Sequence, residues 1–364
     1  MTPAHPPSDF SIPAPAGSVP SERPPHAASF VHGAYYPSWK IYRKQAPSSM
    51  NLDIISHVFY AFHLDEKADT QLSVDGANGC LEALTKLRRD HHPNLKLLSV
   101  GGGSGSKPFP GIAADPTKRQ TFATSIRAFV DRFHFDGVDI DWEHPTNPSD
   151  GANYTHLLDT LRTTLPSPRY LLTAALPAGE WCLRNLALAP LAAHLDFVNL
   201  MCYDFAGPWT DGRAGHHAQL YAPRAPHNAF ARRSCHGAVE FAVARGVPPA
   251  KIVLGVPVYG RSFLGVDAVG QRFGGHAAEG GIFEFRELPR PGAEERVDES
   301  VVGAVCVGGD GGLVSYDNAR TVARKVEYVR ERGLGGMFYW TGIADKSGRE
   351  SLLLSGYEAL YGKK

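Results

Sequence analysis

Apolar and polar positions follow two different periods along this chain of 364 residues. Eight short runs rich in β-branched and aromatic residues recur, at 30–36, 55–62, 95–100, 135–142, 170–176, 195–203, 251–259 and 335–340. Runs of this length and make-up, bounded by Gly, Pro and polar residues, predict strands. Between several of them the apolar residues recur every three or four positions. The stretch 116–133 opens on Pro116 and places Phe122, Ile126, Phe129 and Val130 on one helical face. The stretches 152–165 and 318–333 carry the same signal, and the second stops at Gly333, a residue type that ends helices. Strands alternating with helices, eight times over, predict a (β/α)8 TIM barrel.

One interval is too long for a simple crossover. Between Tyr259 and Gly335 lie Gly- and Pro-rich stretches and a strand-like 282–288, IFEFREL. Residues 262–316 are expected to form a small inserted α+β subdomain within a catalytic barrel of residues 29–364. The insertion would then sit at the rim where barrel active sites form. Residues 1–28, rich in Pro, Ser and Ala, carry too few core-forming residues to pack and are expected to be an extended tail. They show no basic segment followed by an apolar one, so no signal peptide is read there. The expectation is an intracellular or non-classically secreted protein, extracellular if a signal has been removed.

Composition narrows the partners. Lys and Arg number 37, as do Asp and Glu. That balance gives no basic surplus for nucleic acid or an anionic membrane, and no apolar run is long enough to span a bilayer. The five cysteines are scattered without metal-ligand spacing, which predicts mostly buried thiols. A monomer acting on an uncharged substrate, without cofactor or metal, is expected.

The most informative stretch is 135–145, FDGVDIDWEHP. A strand alternates faces, so Asp139, Asp141 and Glu143 share one side while Val138, Ile140 and Trp142 share the other. In a barrel the apolar side faces the helices and the acids point inward, with Glu143 at the C-terminal mouth. Burial and like-charge neighbours both oppose ionisation, so the three carboxyls titrate as a coupled set. Glu143 could then keep a proton near neutral pH, as a general acid must. Two other readings fit acids at spacing two: a half-exposed strand, and oxygen ligands for Mg²⁺ or Mn²⁺. The metal reading finds no second acidic or His cluster to complete its shell.

The segment 136–143, DGVDIDWE, resembles the DGxDxDWE signature of glycoside hydrolase family 18, the chitinases. The resemblance spans about residues 31–361. LLSVGG (97–102) is similar to the family's SxGG, MCYDFAGPW (201–209) to its MxYDxxGxW, and GVPVYGRSF (255–263) and 313–340 to later passages. It implies hydrolysis of β-1,4-linked N-acetylglucosamine chains by a substrate-assisted, retaining route. By motif match Glu143 is the acid, Asp141 steadies the substrate's acetamido group, Asp139 shares a proton with Asp141, and Tyr203 bonds the acetamido oxygen. Trp340 would lie beneath the distorted sugar, with Met201, Asp204, Tyr259 and Arg261 around the scissile bond and Gly101 and Gly102 nearby.

Strand parity puts Asp204 on the wrong face unless the strand ends or bulges before it. Tyr35, Phe62 and Trp209 are further aromatic candidates, each equally suited to a core. Gly103 occupies a position where family members often carry Trp, which removes one stacking surface. Trp181 is a possible substitute. A lectin of the same fold, or an endo-β-N-acetylglucosaminidase acting on N-glycans, is the alternative function.

Overall fold

The computed structural model describes residues 30–61, 80–85, 87 and 95–362. The stretch 1–28 and Phe62 lie outside the described residues. Eight parallel strands close on themselves: β1 (Val31–Pro37), β2 (His57–Ala61), β3 (Leu95–Gly101), β4 (Gly137–Asp141), β5 (Leu171–Pro177), β6 (Phe197–Met201), β7 (Ile252–Pro257) and β13 (Gly336–Trp340). The last pairs with β1, Val31 opposite Gly336, and so completes a (β/α)8 barrel. The eight apolar runs thus each supply one barrel strand.

The run 251–259 divides. The amide of Val258 donates to the carbonyl of Trp340 at 2.7 Å, and its own carbonyl accepts from Phe285 at 3.0 Å. Past that point the chain leaves the barrel as β8 (Tyr259–Phe263). This strand joins β9 (Ile282–Glu284), β10 (Glu294–Asp298), β11 (Gly303–Val307) and β12 (Leu313–Tyr316) in an antiparallel sheet of order β10-β11-β12-β8-β9. Only the first three residues of 282–288 are strand. Glu287 turns back to accept the amide of Glu284 at 2.9 Å, and a 3-10 turn follows.

The helices begin where side chains cap them. Asp115 accepts from the amides of Thr117 and Lys118 at 2.8 and 3.1 Å ahead of helix 116–132. Helix 148–164 starts four residues before the periodic stretch, because Asn147 caps it and Pro148 suits a first turn. Asn318 and Thr321 cap helix 319–331 reciprocally.

The main core lies between strands and helices and contains Val138, Ile140 and Trp142, all essentially unexposed. Trp142 stacks on Phe109 at 5.5 Å and meets Tyr154 edge-on at 5.3 Å, while the Tyr154 hydroxyl donates to the Ile140 carbonyl at 3.0 Å. Replacing a buried aromatic of this kind by Ala costs about 3–5 kcal/mol. That anchorage on the outer face of β4 fixes what the inner face presents. Gly137 lets β4 lie close to β5, since a Cβ there would fall 2.0 Å from the Leu171 carbonyl oxygen. Among the described residues no helix is long and apolar enough to cross a membrane.

Candidate active site

Asp139 and Asp141 point into the barrel, 0 % and 3 % exposed. The register places Ser99 of β3 and Thr173 of β5 beside Asp139. Both donate to it, Ser99 to Oδ2 at 2.8 Å and Thr173 to Oδ1 at 2.6 Å. Tyr35 of β1 donates to Oδ2 at 2.8 Å and Asn199 of β6 to Oδ1 at 3.3 Å. Burial still raises the Asp139 carboxyl above its ordinary value, against the pull of these four donors. Asp141 has no such cage, and its Oδ1 is buried without a partner. Burial first, then Glu143, then Asp139 push it well above the usual carboxylate range.

Glu143 lies two residues beyond Asp141, at the mouth. Its amide donates to Ser106 Oγ at 2.8 Å, and that hydroxyl faces the carbonyls of Gly102 and Asp141 at 2.8 and 3.1 Å. Ser106 thereby ties the β3 loop to the end of β4. Burial, then the negative charge of Asp204, raise Glu143 to about 7. A quarter of its side chain remains open to solvent. The carboxyl is therefore protonated up to neutral pH and reachable by a substrate.

Asp204 reaches the cleft because β6 stops at Met201 and Asp204 itself adopts a left-handed φ of 60°. It accepts from Tyr259 Oη at 2.6 Å and from Arg261 Nε and Nη2 at 2.9 and 2.8 Å. Burial works against its ionisation, but His217 and the Arg261 guanidinium outweigh it and hold the carboxyl at about 2. Tyr259 and Arg261 come from β8, so the second sheet supplies one side of the site. Tyr203 packs edge-on against Tyr259 and Phe338, each at 6.2 Å.

These residues line a cleft with two arms. One, about 290 Å³, runs past Asp141, Trp340, Gly103, Trp39, Lys40 and Glu284. The other, about 370 Å³, runs past His144, Trp181, Trp209, Phe230 and Arg233. Glu143, Met201, Tyr203 and Asp204 line both, so the acid stands at the junction. Trp209 is half exposed beneath the Arg261 guanidinium, 4.7 Å from its ring. Tyr35, 1 % exposed, lies on the floor, and its hydroxyl is committed to Asp139. Gly103, rather than Gly101 or Gly102, lines the cleft. Gly101, with φ at 117°, lets β3 close on β4: a Cβ would fall 2.1 Å from the Asp141 carbonyl oxygen.

The model of the family described as Glycosyl hydrolases family 18 matches residues 32–345. The chain belongs to glycoside hydrolase family 18. Chitinase 1 of Aphanocladium album is 33 % identical over 92 % of this chain and 86 % of its own length. Catalytic domain 2 of the Ostrinia furnacalis group II chitinase superposes with a TM-score of 0.84 at 26 % identity, covering 93 % of this chain and 98 % of that one. A Cycas revoluta family 18 chitinase, solved in complex with (GlcNAc)3, gives 0.81 at 29 % identity over 91 % and 99 %. This family 18 chain is a glycoside hydrolase by that membership. Several of its cleft or support residues escape a reading of motifs, among them Ser106, His144, Lys40, Glu284, Trp39, Phe230 and Arg233. Asn199 and Thr173 were accessible to strand parity, since each faces inward beside an acid.

Proposed function

We propose that the chain is a chitinase, hydrolysing β-1,4-linked N-acetylglucosamine polymers and oligomers with retention, the substrate's own N-acetyl group serving as nucleophile. The observation that carries this is the graded acid row: a caged Asp139, an unpartnered Asp141 pushed above the usual carboxylate range by burial and its acidic neighbours, and Glu143 poised at about 7 where the two arms meet. Glu143 donates its proton to the glycosidic oxygen as the bond breaks. The acetamido carbonyl oxygen attacks the anomeric carbon and gives an oxazolinium ion. Asp141, whose Oδ1 lacks a partner, is available to accept the acetamido N–H, and as a carboxylate, its shared proton resting on Asp139, it balances the developing charge. Tyr203 bonds the acetamido oxygen. Glu143, now a carboxylate, takes a proton from the water that opens the ring. The sugar donating its acetamido group sits over Trp340, in the smaller arm, and the leaving sugars occupy the larger one.

The relatives bearing chitinase names, and a related structure holding (GlcNAc)3, support this substrate class. The intact Glu143, Asp141 and Asp139 favour an enzyme over a lectin. Chitohexaose and a high-mannose glycoprotein, assayed side by side, test the reading. Release of chito-oligosaccharides with the glycoprotein untouched is expected. Trimming of the glycoprotein alone would make the enzyme an N-glycan hydrolase, and binding without turnover would make it a lectin. Partly acetylated chitosan tests the route: every new reducing end should be N-acetylglucosamine, and glucosamine ends at equal frequency would refute acetamido attack.

A further inference from the structure

The reaction as derived uses Glu143, Asp141, Asp139 and Tyr203 and leaves His144 idle. Yet its Nε2 lies 3.5 Å from Glu143 Oε2. Its ring meets Trp181 edge-on, centroids 5.2 Å apart at 87°, inside the larger arm. Its Nδ1 is buried and has no partner. Burial holds the imidazole at about 4, so it is neutral wherever the enzyme would work.

A neutral imidazole carries one N–H, and the other nitrogen accepts. A proton on Nδ1 would strand a buried donor, a costly arrangement. A proton on Nε2 faces a carboxyl oxygen instead. The second oxygen of Glu143 looks the other way. Oε1 is the atom nearest to a Cβ built on Gly103, at 3.8 Å, so it faces the smaller arm across open space.

We propose that His144 is a positioning residue for the acid: its Nε2–H donates to Oε2 of Glu143, which confines the carboxyl proton to Oε1, the oxygen facing the cleft. This rests on Glu143 being the proton donor. The proton then leaves from, and returns to, one oxygen in both half-reactions. When Glu143 becomes a carboxylate, the same N–H supplies it with a charge-assisted bond, and a separation of 3.5 Å shortens as charge develops. The edge contact with Trp181 keeps the ring from turning away. Glu143 also faces Asp141 at the end of β4, Tyr203 and Asp204 beyond β6, Tyr259 and Arg261 of β8, the Lys40–Glu284 ion pair across the smaller arm and Arg233 in the larger one. None of these changes when His144 alone is replaced.

The test has two parts. In the wild-type protein, ¹⁵N NMR of the histidine rings should show His144 as the Nε2–H tautomer, and an Nδ1–H tautomer overturns the proposal. In kinetics on an aryl chitobioside, His144→Phe should move the alkaline limb of kcat/KM upward by roughly half a pH unit or more, because the carboxylate loses a donor. It should lower kcat with little change in KM. His144→Gln, which keeps an N–H, should lie between the two. A correctly folded Phe variant with wild-type limb and kcat would reduce His144 to packing against Trp181 and overturn the proposal. If the Phe variant does not fold, the wild-type tautomer decides alone. A wild-type protein that hydrolyses no chito-oligosaccharide would sink the functional reading, while the tautomer would still report on the His144–Glu143 pair.

Discussion

Replacing Asp204 by Asn changes one charge and should be read out at another residue. Asp204 is ionised, held at about 2, and its negative charge helps to keep a proton on Glu143. The amide removes that charge and leaves the Arg261 guanidinium, bonded to both Asp204 oxygens, unopposed. Both changes favour the Glu143 carboxylate, so its pKa must fall. A nearby charge moves a carboxyl by about one to three pH units, and the open cleft screens part of the effect. A fall of about one pH unit, roughly 1.4 kcal/mol, is therefore expected. The first step needs protonated Glu143, so wild-type kcat/KM should decline through pH 7 on the alkaline side, where burial and Asp204 set its carboxyl, at about 7. In the variant the decline should centre near 6, and at pH 7 kcat/KM should drop roughly fivefold from this cause alone. The variant should also lose about 1–3 kcal/mol of stability, the lower part of the range for breaking an ion pair because Asp204 is 37 % exposed. The pH profile on a soluble aryl chitobioside and a denaturant melt separate the two effects. A limb that stays at 7 or moves upward would refute the electrostatic account of Glu143.

Glu143→Gln should lose at least the roughly 10²–10⁴-fold attributed to general acid–base catalysis while binding chito-oligosaccharides nearly as before; calorimetry and turnover check it. Tyr35→Phe removes one of two donors to Asp139 Oδ2 and the acceptor that Asn199 meets at 2.9 Å. Urea unfolding should show a loss of about 1–3 kcal/mol. Gly101→Ala collides with the Asp141 carbonyl and should fail to fold or lose more than about 3 kcal/mol. Gly212→Ala, also at positive φ but with open space around it, should cost only about 1 kcal/mol by thermal melt. Equal losses at the two glycines would show that backbone strain, and not the β3–β4 approach, governs Gly101.

Periodicity alone named the barrel, because each strand must bury one face against helices and each helix one stripe against strands. The period of two along β4 likewise separated Asp139, Asp141 and Glu143 from Val138, Ile140 and Trp142, since a strand leaves side chains no other choice. Local chemistry also announced the ends of helices 116–132 and 319–331, where capping residues adjoin the periodic stretch. What local pattern could not reveal lies wherever distant segments meet. The run 251–259 reads as one strand, yet Val258 hands the chain from barrel to second sheet, because its amide bonds the carbonyl of Trp340 while its carbonyl bonds the amide of Phe285. Parity left Asp204 facing away, and only the end of β6 with its left-handed turn brings it to Arg261. The four donors around Asp139 come from β1, β3, β5 and β6, far apart in sequence, and barrel closure gathers them. Ser106, His144 and the Lys40–Glu284 pair carry no motif. Their roles arise from through-space distances, and a chain fixes those only when tertiary packing has set every backbone between them.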